Sequence, residues 1–389
     1  MTTKRTRLAQ RRRTLGLSQE RLAEILGVDR STIGRWEAGD TEPQPWLRPK
    51  MAAALGLSNS DLQVLLDGSE AVADTRQAAV ARRSLRETSA ISGRGVQVLH
   101  DARRHYQRMY RNSGGLPAKV QLERFLSEHA TPLVTGGFGS GDDQEVLRAM
   151  GSLVALAGIC AYDCEEYGTA ERHFDRAFQF ADSSGDLRFG AYIYALKANQ
   201  ALALKDFRQV VDHVETAVTY AAACISPALE ADLWAMQANA YAQIGDRKLT
   251  YLTISRSESS ASRIRDDEEP AETSYVQAGL IEAKLGEALV GLGDLSPAFD
   301  YAQKALDSDD HPRGRVNRLA SMATLELKAR EIEHASSLTV EMVDSAEGME
   351  SRRLHSRFRE LRIGLNNSRS NVSEEAVARL DRVLQISPW

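Results

Sequence analysis

The sequence predicts an all-α protein in two parts: a compact helical module over residues 1–68 and a long array of helical hairpins over 96–389, joined by a linker over 69–95. Three observations lead there. The chain's 389 residues exceed what one hydrophobic core fills. Between Leu8 and Leu66, apolar stretches of helical spacing are broken at Gly16, at Gly27, from Gly39-Asp40 through Pro45, and at Gly56, which predicts five short helices. From about residue 143 onward, small residues recur in register over six successive helix pairs.

With 42% hydrophobic and 26% charged residues, the composition is that of a soluble globular chain, and no apolar run approaches the roughly 20 residues of a membrane span. Met1-Thr2-Thr3-Lys4-Arg5 opens no secretory leader, so a cytoplasmic protein without a membrane partner is expected. Cys160, Cys164 and Cys224 are too few, and odd in number, for a disulfide framework. Cys160 and Cys164 share a helical face that, with His173, would begin a metal site. Small core residues in packed helices account for them more simply, and no metal or cofactor is expected.

The net charge of −5 hides an asymmetry: residues 1–50 carry 11 Lys+Arg against 6 Asp+Glu, while residues 69–389 carry 38 against 46. Only the first segment suits a polyanion. The stretch 69–111 is basic again, with Arg76, Arg82, Arg83, Arg86, Arg94, Arg103, Arg104, Arg108 and Arg111 against four acids. It reads as a solvated helical face or as a linker that tracks DNA.

In the first module Ser18 and Asp29 are placed to cap the second and third helices on either side of the turn Gly27-Val28. Ala23 is small where two crossing helices approach, Gly27 suits a left-handed turn residue, and Ile33 and Trp36, at i and i+3, anchor the third helix in the core. On an ideal helix those anchors point away from Arg30, Ser31, Gly34 and Arg35. A face with two arginines, a hydroxyl and a glycine that permits close approach suits the DNA major groove, where Arg pairs bidentately with guanine. A solvated charged helix is the plainer alternative, and it leaves the other constrained slots unexplained.

Over roughly residues 1–68 these slots resemble the phage-repressor-like (Cro/cI or XRE) helix-turn-helix family. The resemblance implies a five-helix lambda-repressor-like fold in which Gln19 contacts the DNA backbone or a base. It implies that Arg30, Ser31 and Arg35 read bases beside Gly34, and that Thr32 flanks them or meets a phosphate. It also implies that Arg12 pairs with Glu37 as a structural ion pair. One departure is Asp40-Thr41-Glu42-Pro43-Gln44-Pro45, acidic and proline-rich where many relatives place basic residues against phosphates.

In the array, Gly158, Ala198, Ala238, Gly286, Ala323 and Gly364 occupy one slot of successive first helices. Twelve residues after each come Ala170, Val210, Thr250, Ala298, Ala335 and Ala376. Small residues at two such slots let paired helices pack closely, with Tyr167, Phe174, Phe207, Val214 and Ile254 filling the space between pairs. The pattern resembles the tetratricopeptide repeat, as do the inter-pair turns Ile244-Gly245-Asp246 and Leu292-Gly293-Asp294 and the grouping of Ala170 with Phe174 and Ala177. The period, near 40 with one step of 48, departs from that family's value of about 34. Residues 96–135 are expected to form an irregular seventh pair that caps the array.

First helices of a stacked array line its concave groove. The slot after the small residue carries Asn199 and Asn239, then Glu287 and Thr324, and neighbouring groove slots add Tyr192, Asp232, Met236, Gln243 and Lys284. An asparagine amide donates and accepts at once, which suits an extended peptide backbone; alternatively the two asparagines bond the adjacent helix. Repeats behind such a head resemble the architecture of peptide-pheromone-sensing regulators, whose grooves use asparagines in this way.

The expectation is a sequence-specific, DNA-binding transcriptional regulator, homodimeric on a palindromic double-stranded operator because one small head spans few base pairs. Its repeats either bind a peptide or small ligand that controls dimer geometry, or bind another protein with no small ligand. A closed groove favours the first and an open or occluded face the second. With no Walker loop, nucleophile elbow or His-Glu-x-x-His, and with Glu165-Glu166 and Asp266-Asp267-Glu268-Glu269 in expected turns, the chain is not expected to be an enzyme.

Overall fold

A computed structural model describes residues 6–15, 17–55, 57, 62, 65–66, 95–130, 143–265, 267–276, 279–308, 312–368 and 370–386. Every regular element among them is helical. The chain divides into two compact units, 1–87 and 88–389. Gly16, Gly56, the basic residues Arg76, Arg82, Arg83, Arg86 and Arg94, and Asp266 lie outside the described residues.

The first unit contains α1 (Thr6–Thr14), α2 (Gln19–Leu26), α3 (Arg30–Ala38) and α4 (Arg48–Ala54). Their apolar faces meet in one core that includes Leu8, Leu22, Ile33, Trp36 and Met51. Most of the expected fifth helix lies outside the described residues, but its Leu62 and Leu66 are buried in this core.

The second unit begins with α5 (95–113) and α6 (Gly115–Phe125), the latter ending in a π-turn over Leu126–Ala130. Six hairpins follow. They are α7 (Asp143–Asp163) with α8 (Tyr167–Ser184), α9 (Leu187–Ala203) with α10 (Phe207–Tyr220), and α11 (Pro227–Ile244) with α12 (Arg247–Ala261). Then come α13 (Leu280–Leu292) with α14 (Leu295–Leu306), α15 (Pro312–Ala329) with α16 (Ile332–Ser345), and α17 (Arg352–Asn367) with α18 (Glu374–Ile386). Each small-residue slot falls on a first helix, and each partner twelve residues later falls on the second helix and is buried. At Gly158 the reason for smallness is direct: a Cβ there would stand 2.5 Å from the Phe174 ring.

The repeat is also written in the backbone. Seven residues after the small slot, Glu165, Lys205, Gly245, Gly293 and Arg330 all adopt positive φ, from 58° to 86°. The next residue is an acid at the N-cap of the second helix in all five: Glu166, Asp206, Asp246, Asp294 and Glu331. An acid there faces the positive end of the helix dipole, and Asp206 and Asp246 also accept from the N–H groups of Gln209 and Leu249. The turns at Gly245 and Gly293 therefore lie within hairpins, not between them as the sequence reading has it. A left-handed residue is what reverses the chain over three residues.

The single 48-residue step has a structural cause. Between α12 and α13 an inserted 3-10 turn, Ala271–Tyr275, points Glu272 and Tyr275 inward. Helices α5 and α6 precede the first hairpin as a pair, α6 packs on α7, and α5 lays Arg103, Gln107 and Tyr110 along the wall of the unit's cavity, a placement the sequence reading did not include. Residues 131–135 of that expected pair lie outside the described residues. A further correction concerns α7: its residues 144–163 are long and apolar enough for a membrane span (mean hydropathy 1.4), but 78% of that window is buried in the unit's core.

The array closes on itself. Asp163, ending α7, pairs with Arg313 of α15 and accepts from Ser351 Oγ at 2.9 Å, and Ser356 Oγ of α17 reaches Glu165 at 2.6 Å. The Gly114-Gly115 step between α5 and α6 fits this seam. Gly115 N–H donates to Asp163 Oδ2 at 2.7 Å, and a Cβ on Gly114 would collide with the backbone of Glu350 at 2.3 Å.

Candidate nucleic-acid interface and repeat-domain cavity

In the first unit Ser18 Oγ accepts from Arg21 N–H at 3.0 Å and starts α2. Gly27, at φ +74°, ends it in a left-handed turn whose N–H returns to Ala23 O at 2.9 Å. Asp29 holds the N-cap position of α3 without a side-chain cap bond, so only its backbone serves the start expected of it. Ile33 and Trp36 are buried, while Arg30, Ser31 and Arg35 are exposed and Thr32 and Gly34 half-buried.

Beneath that face lies the expected ion pair. Arg12 Nε meets Glu37 Oε1 at 2.6 Å and Nη2 meets Oε2 at 3.2 Å, with side chains 8% and 9% exposed. The third arm of the fork, Nη1, donates to Leu17 O at 2.7 Å, so one arginine ties α1, the entry to α2 and the end of α3. Gln19 Nε2 joins the same carboxylate at 2.8 Å, which fixes its side chain at the junction of α2 and α3. On the outer face Arg30 Nε pairs with Glu20 at 2.7 Å, and Arg35 Nε donates to Ser31 O at 3.4 Å. Within the acidic loop Glu42 pairs with Arg48 at 3.1 Å.

A helix-turn-helix family model matches residues 8–62, the span of this geometry. An uncharacterized HTH-type transcriptional regulator of Methanothermobacter thermautotrophicus (strain Delta H) is 41% identical over 63 residues, covering 16% of this chain and 91% of that protein. The chain belongs to the helix-turn-helix family. In helix-turn-helix terms α2 is the supporting helix and α3 the recognition helix, with Gln19, Arg30, Ser31, Thr32, Gly34 and Arg35 on or beside its outward side.

The second unit of this helix-turn-helix protein encloses a cavity of about 350 Å³, walled by α5, the inserted turn and first helices of the repeats. Of the groove residues read from sequence, Tyr192, Asn199, Asp232, Lys284 and Glu287 line it, and Met236, Asn239 and Gln243 do not. Met236 is buried in the apolar core and Gln243 is exposed. Asn239 Nδ2 donates to the Lys284 carbonyl at 2.8 Å, joining α11 to α13. Asn199 Nδ2 donates to Tyr162 Oη at 3.1 Å, and that hydroxyl donates to Asn199 O at 3.2 Å. Equivalent slots thus have different surroundings, and both amide N–H groups serve neighbouring helices.

The cavity's three acids are all engaged. Asp232 pairs with Lys284 and accepts from Tyr275 Oη at 2.7 Å; Glu287 pairs with Arg357 and accepts from Ser321 Oγ at 2.6 Å; Glu272 meets Arg148 at 2.5 Å. Burial pushes the Tyr162 and Tyr192 hydroxyls up to about 12, so both remain protonated donors. Sequence reasoning missed the arginines of this wall. Arg103 belongs to the stretch read as a solvated face or DNA-tracking linker, yet it is 8% exposed, and Arg111 donates to Ser274 O at 3.2 Å. Arg104 and Arg108 of the same stretch are exposed. The available signal was the period: Arg103, Gln107 and Tyr110 share one face of α5 at i, i+4 and i+7. Cys160 and Cys164 are buried in the core, and burial raises both thiol pKa values. Among the described residues no cluster of three or more His, Cys, Asp or Glu is arranged to hold a metal.

Proposed function

We propose that the protein is a cytoplasmic, sequence-specific transcriptional regulator that works by binding, not catalysis. In this reading two heads of a homodimer meet a palindromic operator. Arg30, Ser31 and Arg35 reach base edges, Gly34 admits the close approach, and Gln19 and Thr32 meet the backbone. The repeat unit holds a small ligand or short peptide and thereby sets the spacing of the heads.

The observation that carries the ligand half is closure. The array is joined where Asp163 meets Arg313 and Ser351, and α5 lies along the inner wall, so the groove is narrowed to a partly enclosed cavity, which favours a small ligand over a broad docking surface. Its volume of about 350 Å³ is at the low end of the roughly 300–1,000 Å³ of small-molecule sites.

Selection of bound sequences from random double-stranded DNA by the full-length protein, with and without the small-molecule fraction of a cell extract, tests both halves. Palindromic half-sites about 10 base pairs apart, or a multiple of that, and an extract-dependent change in affinity are expected. No enriched sequence would remove the regulator reading. Enrichment with an affinity indifferent to extract would leave the repeats to a protein partner.

A further inference from the structure

The wall of the cavity holds more positive charge than its acids use. Arg103, on α5, is 8% exposed, and its Nε is buried without a hydrogen-bond partner. Its guanidinium bonds Gln107 and lies near the Tyr192 hydroxyl, and no ion pair among the described residues includes it. Glu272 feels its charge but is held by Arg148. Arg313 is 7% exposed and leaves a second buried nitrogen, Nη1, without a partner while its other arm serves Asp163. Arg353 lies over the Tyr162 ring at 4.0 Å, and Arg313 lies over Tyr110 at 4.9 Å.

A buried cation without a matching anion is costly, and arginine's planar fork is shaped for carboxylate or phosphate. We propose that the cavity binds a small organic anion with a planar or aromatic body, its carboxylate or phosphate taken by Arg103 and its body set among Tyr110, Tyr162, Tyr192 and Tyr275. Arg103 and Tyr110 stand seven residues apart on α5, about 10 Å along the helix axis, so Arg313 beside Tyr110 reads a different part of the ligand from Arg103. The inference rests on the ligand reading above and adds the ligand's charge and shape. Helix α5 is also the first described helix after the segment that follows the head, so an anion drawn to Arg103 acts on the element nearest the head in sequence.

The test is a thermal-shift and calorimetric titration of the full-length protein with three matched probes: phenyl phosphate, benzoate and neutral benzamide. Both anions are expected to bind about tenfold or more tightly than benzamide, and their ranking separates a phosphate from a carboxylate ligand. Arg103→Gln is expected to erase that preference and Arg103→Lys to keep part of it. Neither change is expected to lower the melting temperature of the unliganded protein, because an unmatched buried charge is being removed or kept. Benzamide binding as well as the anions, or Arg103→Gln melting lower with probe affinities unchanged, overturns the proposal. A shift produced by small-molecule extract that survives anion-exchange treatment also overturns it and leaves the ligand reading standing. If neither extract nor any probe shifts the protein, both readings fall.

Discussion

Asp163 and Arg313, 150 residues apart in sequence, form a buried ion pair that joins the end of the first helix of the first repeat hairpin to the start of the fifth hairpin. Ser351 Oγ and the Gly115 N–H occupy the same carboxylate at 2.9 and 2.7 Å, so one aspartate gathers four segments. Breaking a buried pair strands a charge, whereas replacing both partners with apolar groups need not. Asp163→Asn is expected to destabilise the repeat unit by about 3–5 kcal/mol, and the double change Asp163→Leu with Arg313→Met to recover much of that. Urea unfolding followed by circular dichroism measures both. A single variant as stable as the native chain would mean that the seam is held elsewhere.

Glu37 accepts from Arg12 and from Gln19, so its loss leaves a buried guanidinium unmatched beneath the recognition helix. Glu37→Ala is expected to cost about 3–5 kcal/mol in the head alone. Hydrogen exchange of the full chain, read over residues 8–62, should show faster exchange there and none of it in the repeats.

Arg35 is exposed on α3 and, among the described residues, bonds only the Ser31 carbonyl, at 3.4 Å, which leaves its outer fork available to a base edge. Arg35→Ala is expected to weaken binding to a selected operator by about 1–3 kcal/mol while random DNA loses less. Equal losses on both, measured by fluorescence anisotropy at fixed salt, would assign Arg35 to phosphate contact.

The two asparagines should behave differently. Asn239→Ala removes a bond between α11 and α13 outside the cavity and is expected to lower the melting temperature, at about 0.5–1.5 kcal/mol, with the response to a ligand intact. Asn199→Ala alters the cavity wall beside Tyr162 and is expected to change both. Calorimetry beside an operator-binding assay separates these outcomes; a ligand response lost on Asn239→Ala alone would contradict the placement.

Lys205 and Arg330 adopt positive φ at the slot where Gly245 and Gly293 stand in other repeats. A left-handed conformation costs an L-residue with a Cβ roughly 1–2 kcal/mol. Lys205→Gly is therefore expected to stabilise the repeat unit by about 0.5–1 kcal/mol after the extra unfolded-state entropy of glycine is subtracted. A lowered melting temperature would show that the lysine side chain contributes more than its backbone strain costs.

Local chemistry by itself determined much of this protein. The slots of the first module, from Ser18 through Ala23 and Gly27 to Trp36, and the twelve-residue spacing of small residues in the array are short-range patterns. The helices form where those patterns place them because capping, turn conformation and close helix approach act over a few residues. The Arg12 to Glu37 pair, 25 residues apart and on α1 and α3, was legible only through the resemblance of the first module to the helix-turn-helix family. Only the tertiary structure decided which repeat residues meet. Asn199 and Asn239 share a slot, but one lines the cavity and the other bonds α13, because an inserted turn and the closure at Asp163 make successive repeats inequivalent. Arg103 looks in sequence like its solvated neighbours Arg104 and Arg108. It is buried because α5 lies along the inside of an array that closes through contacts up to 237 residues apart, such as Glu350 with Ser113. Helical periodicity tells which face of α5 a residue is on; what that face meets depends on the accumulated curvature of all the hairpins, and no local pattern carries that information.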